Sequence, residues 1–121
     1  MEKNKILIVE DNIDLIESYE IVFKKEWYNV EIAYDWKEAG RKLKSFKPYV
    51  VLLDIMMPNT NGFSFLEKVR KTGNNVIIIL NSNLSQDSDI ERWLSLWANK
   101  YLRKSDFNPF ELVDEVEKVI K

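Results

Sequence analysis

The chain has 121 residues, which suits one domain and is too short for two ordinary ones. An apolar share of 45% and a charged share of 31% describe a globular protein that can bury a core without disulfides, and a net charge of −2 gives no electrostatic case for direct binding to nucleic acid. The absence of Cys and His excludes thiol chemistry, Cys/His zinc sites and His-based acid–base catalysis; carboxylates, hydroxyls and amines remain, and a metal would have to be a hard, oxygen-bound ion such as Mg²⁺.

Residues 5–9 (KILIV) read as a buried strand. Residues 13–26 follow with Leu15, Ile16, Tyr19, Val22 and Phe23 at helical spacing, capped by Asn12 or Asp11. Residues 30–33 are a short strand. Residues 37–46 are a basic helix interrupted by Gly40, which costs about 1 kcal/mol against Ala in a helix interior. Residues 50–53 (VVLL) are a third buried strand that ends at Asp54, before a turn rich in Pro58, Asn59, Asn61 and Gly62.

A third helix is expected at 63–71, a fourth strand at 76–80 (VIIIL), a fourth helix at 86–96 capped by Ser85, and a fifth strand at 101–103. The last helix has the strongest start signal, with Asn108 as N-cap, Pro109 at N1, Glu111 at N3, and Phe107 with Leu112 as a hydrophobic staple. Phe110, Val113, Val116 and Ile120 form its expected buried stripe. Five βα units with continuous apolar strands imply a flavodoxin-like, doubly wound parallel sheet of five strands, order 2-1-3-4-5.

Ligands of such sheets sit at the carboxyl ends of the strands. There the sequence puts Glu10 and Asp11, then Asp54, then Asn81 and Ser82, then Lys104. Three carboxylates in one place repel, so one of them should hold its proton more tightly unless a cation is present. Such an oxygen-only group suits Mg²⁺, Lys104 can meet a phosphoryl oxygen, and an Asp can act as a nucleophile toward phosphorus.

ILIVEDN (6–12), LLDIMMPNTNGF (52–63) and YLRKSDF (101–107), in this order on a matching βα frame, resemble the response-regulator receiver domain of two-component signalling over essentially the whole chain. The resemblance implies that Asp54 is the phosphoacceptor. It implies that Glu10, Asp11, Asp54 and the Met56 carbonyl hold Mg²⁺, and that Lys104 contacts the phosphoryl group. Ser82, 22 residues before Lys104, takes the family's Ser/Thr switch position, with Asn81 as the competitor if the strand is shifted by one residue. Tyr101 is the aromatic coupled to that switch.

The implied partners are a histidine kinase or phosphotransfer protein as donor and a downstream protein target, with neither nucleic acid nor membrane bound directly. A single receiver over 1–121 with no output domain, located in the cytoplasm, is the expectation: no run of roughly 18 apolar residues offers a membrane span, and the N-terminus enters a strand pattern rather than a signal peptide. Any catalysis would be Mg-dependent self-phosphorylation followed by slow self-dephosphorylation. The expected motion draws Ser82 inward with Tyr101 following, which repacks the face of helix 86–96, the fifth strand and the last helix.

The chain departs from the pattern in places. Ser105 replaces the usual Pro after the Lys, which removes the usual reason for a cis peptide there. Apolar Met56 and Leu84, two residues beyond Asp54 and Ser82, imply slow hydrolysis of the phosphorylated form. The composition is odd in having only 3 Gly, where about 7% usage would give roughly eight, against 4 Trp. Trp27, Trp36 and Trp97 stand where receivers commonly have Gly, and Trp93 precedes Trp97 by one helical turn. Gly40 stands where Leu is usual. A second reading follows: a receiver-fold scaffold, natural or engineered, whose surface of Trp27, Trp36, Trp93 and Trp97 mediates ligand binding, partner binding or self-association.

Overall fold

The computed structural model describes residues 4–57, 62–83 and 97–121. The described elements are β1 (Lys5–Val9), α1 (Ile13–Lys25), β2 (Asn29–Ala33), α2 (Trp36–Ser45), β3 (Val50–Leu53), α3 (Gly62–Lys71), β4 (Ile77–Ser82), β5 (Lys100–Arg103), a 3₁₀ turn (Lys104–Asp106) and α4 (Pro109–Ile120). All strand pairs are parallel and the order is β2-β1-β3-β4-β5, the doubly wound arrangement expected from the sequence. The expected helix at 86–96 with its cap Ser85, the residues Leu84 and Trp93, and the turn residues Pro58, Asn59 and Asn61 lie outside the described residues.

Both faces of the sheet are covered, and the two-residue period of a strand divides its side chains between them. Ile6, Ile8, Val50, Leu52 and Ile79 join Ile16, Tyr19 and Phe23 of α1 and Leu112, Val113 and Val116 of α4. Leu7, Val9, Val51, Leu53, Ile78 and Leu80 face Ala39 and Leu43 of α2 and Leu66 and Val69 of α3. Apolar strands without alternation are the sequence mark of this double burial.

Helix starts follow local capping chemistry. The Asn12 side chain accepts from the Leu15 N–H at 3.1 Å, so Asn12 rather than Asp11 caps α1. The Asp35 side chain accepts from the Glu38 N–H at 2.8 Å, which moves the start of α2 to Trp36, one residue before the expected boundary. At α4 both halves of the capping box form: Glu111 N–H to Asn108 at 2.8 Å and Asn108 N–H to Glu111 at 2.9 Å.

Two expectations are corrected. Phe110 is 65% exposed, not part of the buried stripe, because the apolar face of α4 runs through Leu112, Val113 and Val116 and leaves the second helical position facing outward. Strand β4 spans Ile77–Ser82 rather than 76–80; Asn81 and Ser82 continue the ladder opposite Leu102 and Arg103, while the Asn74 side chain turns the chain at Val76.

Helix α1 ends in a Schellman motif. The Tyr28 N–H reaches the Phe23 carbonyl at 3.0 Å and the Trp27 N–H the Lys24 carbonyl at 3.0 Å, with the Tyr28 and Phe23 rings edge to face at 5.1 Å. The left-handed position of that motif falls on Trp27, with φ +70°, and its side chain is 85% exposed. Lys47 after α2 (φ +52°) and Gly73 after α3 (φ +86°) adopt the same region, so only one of these three positions carries the residue that favours it. Trp27→Gly loses little packing and relieves this strain; it is expected to stabilise the fold by about 0.5–1 kcal/mol. Urea denaturation checks this as a raised midpoint at unchanged slope.

Candidate functional site

The carboxyl ends of β1, β3, β4 and β5 converge on one cluster. Asp54 follows β3 and is buried, and each of its oxygens is held. Oδ1 accepts from the Ser82 hydroxyl at 2.9 Å and from the Met56 N–H at 2.9 Å; Oδ2 accepts from Lys104 Nζ at 2.8 Å. The same ammonium reaches Glu10 Oε1 at 2.7 Å. The other Glu10 oxygen accepts from the N–H groups of Asp11 and Asn12 at 3.2 and 3.1 Å, which fixes the acidic pair at the end of β1. Asp11 is exposed beside them.

Adjacent residues of a strand point to opposite faces, and this separates Ser82 from Asn81. Ser82 faces Asp54, whereas the Asn81 amide donates to the Tyr19 hydroxyl at 3.1 Å on the α1 side of the sheet. The Tyr101 hydroxyl donates to the Ser82 carbonyl at 3.0 Å. The Ser82 hydroxyl therefore already touches Asp54 in this structure, and the Tyr101 ring is already tied to the same residue.

The electrostatics follow from this burial. Glu10 holds its proton more tightly than an ordinary glutamate because burial penalises its charge, and the Asp54 charge adds to that; Lys104 and the Asn12 N–H oppose the rise without cancelling it. Burial alone would lower the Lys104 pKa, but hydrogen bonds to Asp54 and Glu10 and the charges of both carboxylates raise it above the usual lysine value. The expected repulsion among the carboxylates is thus present at Glu10, but desolvation leads it.

A carboxylate oxygen from each of Glu10, Asp11 and Asp54 lies within 4.8 Å of the others. The donors are all oxygen, and three carboxyl groups gather where Lys104, paired with Glu10 and Asp54, supplies one positive charge, so the chemistry of the set fits a hard divalent cation such as Mg²⁺.

The family model for the response regulator receiver domain matches residues 6–117. The chain belongs to that family. It is 35% identical over 98% of its length to a transcriptional regulatory protein CpxR homolog of Haemophilus influenzae, and spans about half of that relative (51%). Among solved structures it resembles a response regulator receiver domain from Bermanella marisrubri (28% identity, TM-score 0.88, 99% of this chain and 100% of that one). It also resembles a CheY-like receiver domain protein from Methanospirillum hungatei (26%, 0.87, 98% and 94%). No described helix of the receiver is long and apolar enough to cross a membrane.

The Trp residues separate on inspection. Trp27 lies on the surface, Trp97 is half-buried against the α2–α3 side of the core, and Trp36 is buried with its ring 5.1 Å from Phe65. Trp36 is therefore a core side chain at the first position of α2, not an exposed anchor, and Trp93 lies outside the described residues.

Sequence reasoning missed three supports. The Asn83 side chain accepts from the Ser105 N–H at 2.8 Å and ties the end of β4 to the turn that carries Lys104; the peptide bonds of the described residues are all trans, Lys104–Ser105 included. Gly62 is required by contact, since a Cβ there would lie 2.5 Å from the Ile55 Cβ, directly after Asp54. Arg70 bonds the carbonyls of Trp97, Asn74 and Val76 at 2.7, 3.1 and 2.6 Å and the Asn99 side chain at 3.0 Å, and so anchors the segment entering β5. A polar side chain after a strand and a Gly near the acid were the available signals for the first two; Arg70 gave none.

Because the folded state raises the Glu10 pKa, the group's contribution to stability is fully present below the ordinary glutamate value of 4.5 and is lost as pH climbs through the raised one. Carboxyl ¹³C NMR titration is expected to place the Glu10 midpoint above 4.5 and to move it down in Asp54→Asn, which removes a repelling charge and leaves Lys104 to Glu10. A midpoint that stays put in Asp54→Asn contradicts the assigned coupling.

Proposed function

We propose that this receiver accepts a phosphoryl group on Asp54 from a phosphohistidine of a separate histidine kinase or phosphotransfer protein. The observation that carries the reading is the buried Asp54 carboxylate, held at once by Lys104, the Ser82 hydroxyl and the Met56 N–H. These 121 residues contain no His, so the donor imidazole lies outside them. An Asp54 oxygen attacks phosphorus, a P–O bond forms and the P–N bond breaks. The imidazole nitrogen leaves with the electron pair and takes a proton from solvent.

The chain supplies positioning and charge. Lys104 offers its ammonium to a phosphoryl oxygen, the Ser82 hydroxyl donates to another, and the β-strand ends hold both in place before the donor arrives. Glu10, Asp11, Asp54 and the Met56 carbonyl would hold Mg²⁺, which supplies neutralisation of the phosphoryl charge when bound.

Phosphorylation then changes the acceptor that Ser82 serves, from the Asp54 carboxylate to the phosphoryl group two bonds further out. Tyr101 is tied to the Ser82 carbonyl and so senses any resulting shift of the backbone. The output is a change in the surface around β5 and α4 that a downstream protein reads. The Met56 side chain, 60% exposed and apolar, offers no polar group to orient an attacking water, which supports slow self-dephosphorylation.

Incubation with Mg²⁺ and a small-molecule phosphodonor is expected to add one phosphoryl mass to the intact protein, to fail in Asp54→Asn, and to weaken severely in Lys104→Met. The adduct should persist for minutes once donor is removed. An adduct on Asp54→Asn, or none on the wild type, sinks this reading.

A further inference from the structure

Between α2 and α3 the surface opens into a groove of about 970 Å³, which shares no residue with the Glu10–Asp54–Lys104 cluster. Gly40 is among the residues that line it. That glycine lies within α2, has no left-handed backbone and makes no close approach: a Cβ built there would meet nothing within 4 Å. Glycine weakens a helix interior, so its presence at 40 is a cost with no return in the fold itself. What it leaves is open space one helical turn after Trp36, beside the ring that packs against Phe65.

Two further observations bear on what fills that space. The Trp36 Nε1–H is buried and has no hydrogen-bond partner among the described residues, on a side chain that is 7% exposed and belongs to the lining of the groove. Buried donors without an acceptor are rare in folded proteins, and an acceptor atom from outside would complete this one. The charge of the lining is also one-sided. Lys37, Arg41, Lys44 and Lys68 line the groove and, among the described residues, no Asp or Glu does, on a chain whose net charge is −2. Arg41 is paired with Glu38 at 3.4 Å, whereas Lys37, Lys44 and Lys68 have no ion pair among the described residues.

We propose that the α2–α3 groove binds a small aromatic organic anion. Its flat apolar body lies against Trp36 and Phe65 in the space left by Gly40, its acid group meets the lysines, and an acceptor atom takes the Trp36 indole N–H. The volume is at the upper end of the roughly 300–1,000 Å³ typical of small-molecule sites, too large for an inorganic anion alone. The combination of an aromatic floor, a buried donor and a cationic rim is the mixed lining such ligands need.

The probe is 1-anilinonaphthalene-8-sulfonate, titrated into the full chain and followed by its emission and by the Trp36 indole N–H resonance, with 2-naphthoate as competitor. Saturable one-to-one binding that moves this resonance and is displaced by naphthoate is expected. Gly40→Leu should weaken binding by more than roughly tenfold, and the combined Lys37→Gln, Lys44→Gln, Lys68→Gln variant by roughly tenfold. Gly40→Leu fills open space and improves helix propensity, so it should unfold at a higher temperature than wild type and its loss of binding cannot be ascribed to unfolding. Unsaturable binding, a silent indole resonance, or equal affinity in the Gly40 and lysine variants overturns the proposal. So does a shift of the same resonance with protein concentration in the absence of probe, which would assign the groove to a second copy of the chain.

Discussion

The arrangement depends on one electrostatic constraint: a carboxylate buried at the ends of parallel strands has to be compensated where it stands. Glu10 and Asp54 are both buried, at adjacent strand ends, and like charges so close in a low-dielectric setting oppose folding. Lys104 answers both with one ammonium, at 2.7 and 2.8 Å. The strand that delivers it, β5, lies at the edge of the sheet, and its position is secured on both sides of the turn. Asn83 holds the Ser105 N–H, and Arg70 with Asn99 holds the segment entering the strand. Replacing one member of such a buried pair costs on the order of 3–5 kcal/mol, because the remaining charge is left uncompensated. Under the proposed function the same charges would receive and hold a phosphoryl group, which gives this unfavourable cluster its use.

The division of the sheet into two faces explains which parts were legible in advance. Strand segments such as KILIV and VVLL are apolar at every position, so their double burial, the parallel sheet and the convergence of the acids at their ends follow from local sequence. The assignment between Asn81 and Ser82 does not. It turns on register, since a slip of one residue exchanges the faces, and register is set by pairing of β4 with β3 and β5 rather than by the strand's own residues. Once β4 is seen to extend to Ser82, the alternation sends Asn81 to Tyr19 and Ser82 to Asp54.

The remaining differences share a cause: they depend on contacts distant in sequence. Trp36 reads as a surface aromatic at a helix start until Phe65 of α3 is brought against it. Phe110 fits a helical spacing with Val113 and Val116, yet the sheet meets α4 along Leu112 and its neighbours and leaves Phe110 outside. Arg70 serves three carbonyls across the chain and has no motif to announce it. Trp27 is the converse case. The sequence pattern asks for Gly at that position, and the backbone adopts the left-handed conformation that Gly would favour, with a Trp in it.

The contact between Ser82 and Asp54 bears on how large a switch the site can drive. A modification shifts a conformational equilibrium only by the difference in its interaction with the two states. In this arrangement the Ser82 hydroxyl is engaged before any phosphoryl group arrives, and Tyr101 is already anchored to the Ser82 backbone. Under the proposed function, phosphorylation of Asp54 would exchange one acceptor for a stronger one; it would not create the contact. The charge so added at Lys104 and Ser82 would strengthen contacts the chain already makes, so the free-energy difference available for signalling would be the gain of charged phosphoryl contacts over the carboxylate contacts they replace. That gain is smallest if Lys104 keeps both its carboxylate bonds, and largest if a divalent cation takes over Glu10 and frees the ammonium for the phosphoryl oxygen. The tie between Lys104 and Glu10 would thus couple metal binding to the strength of the proposed switch.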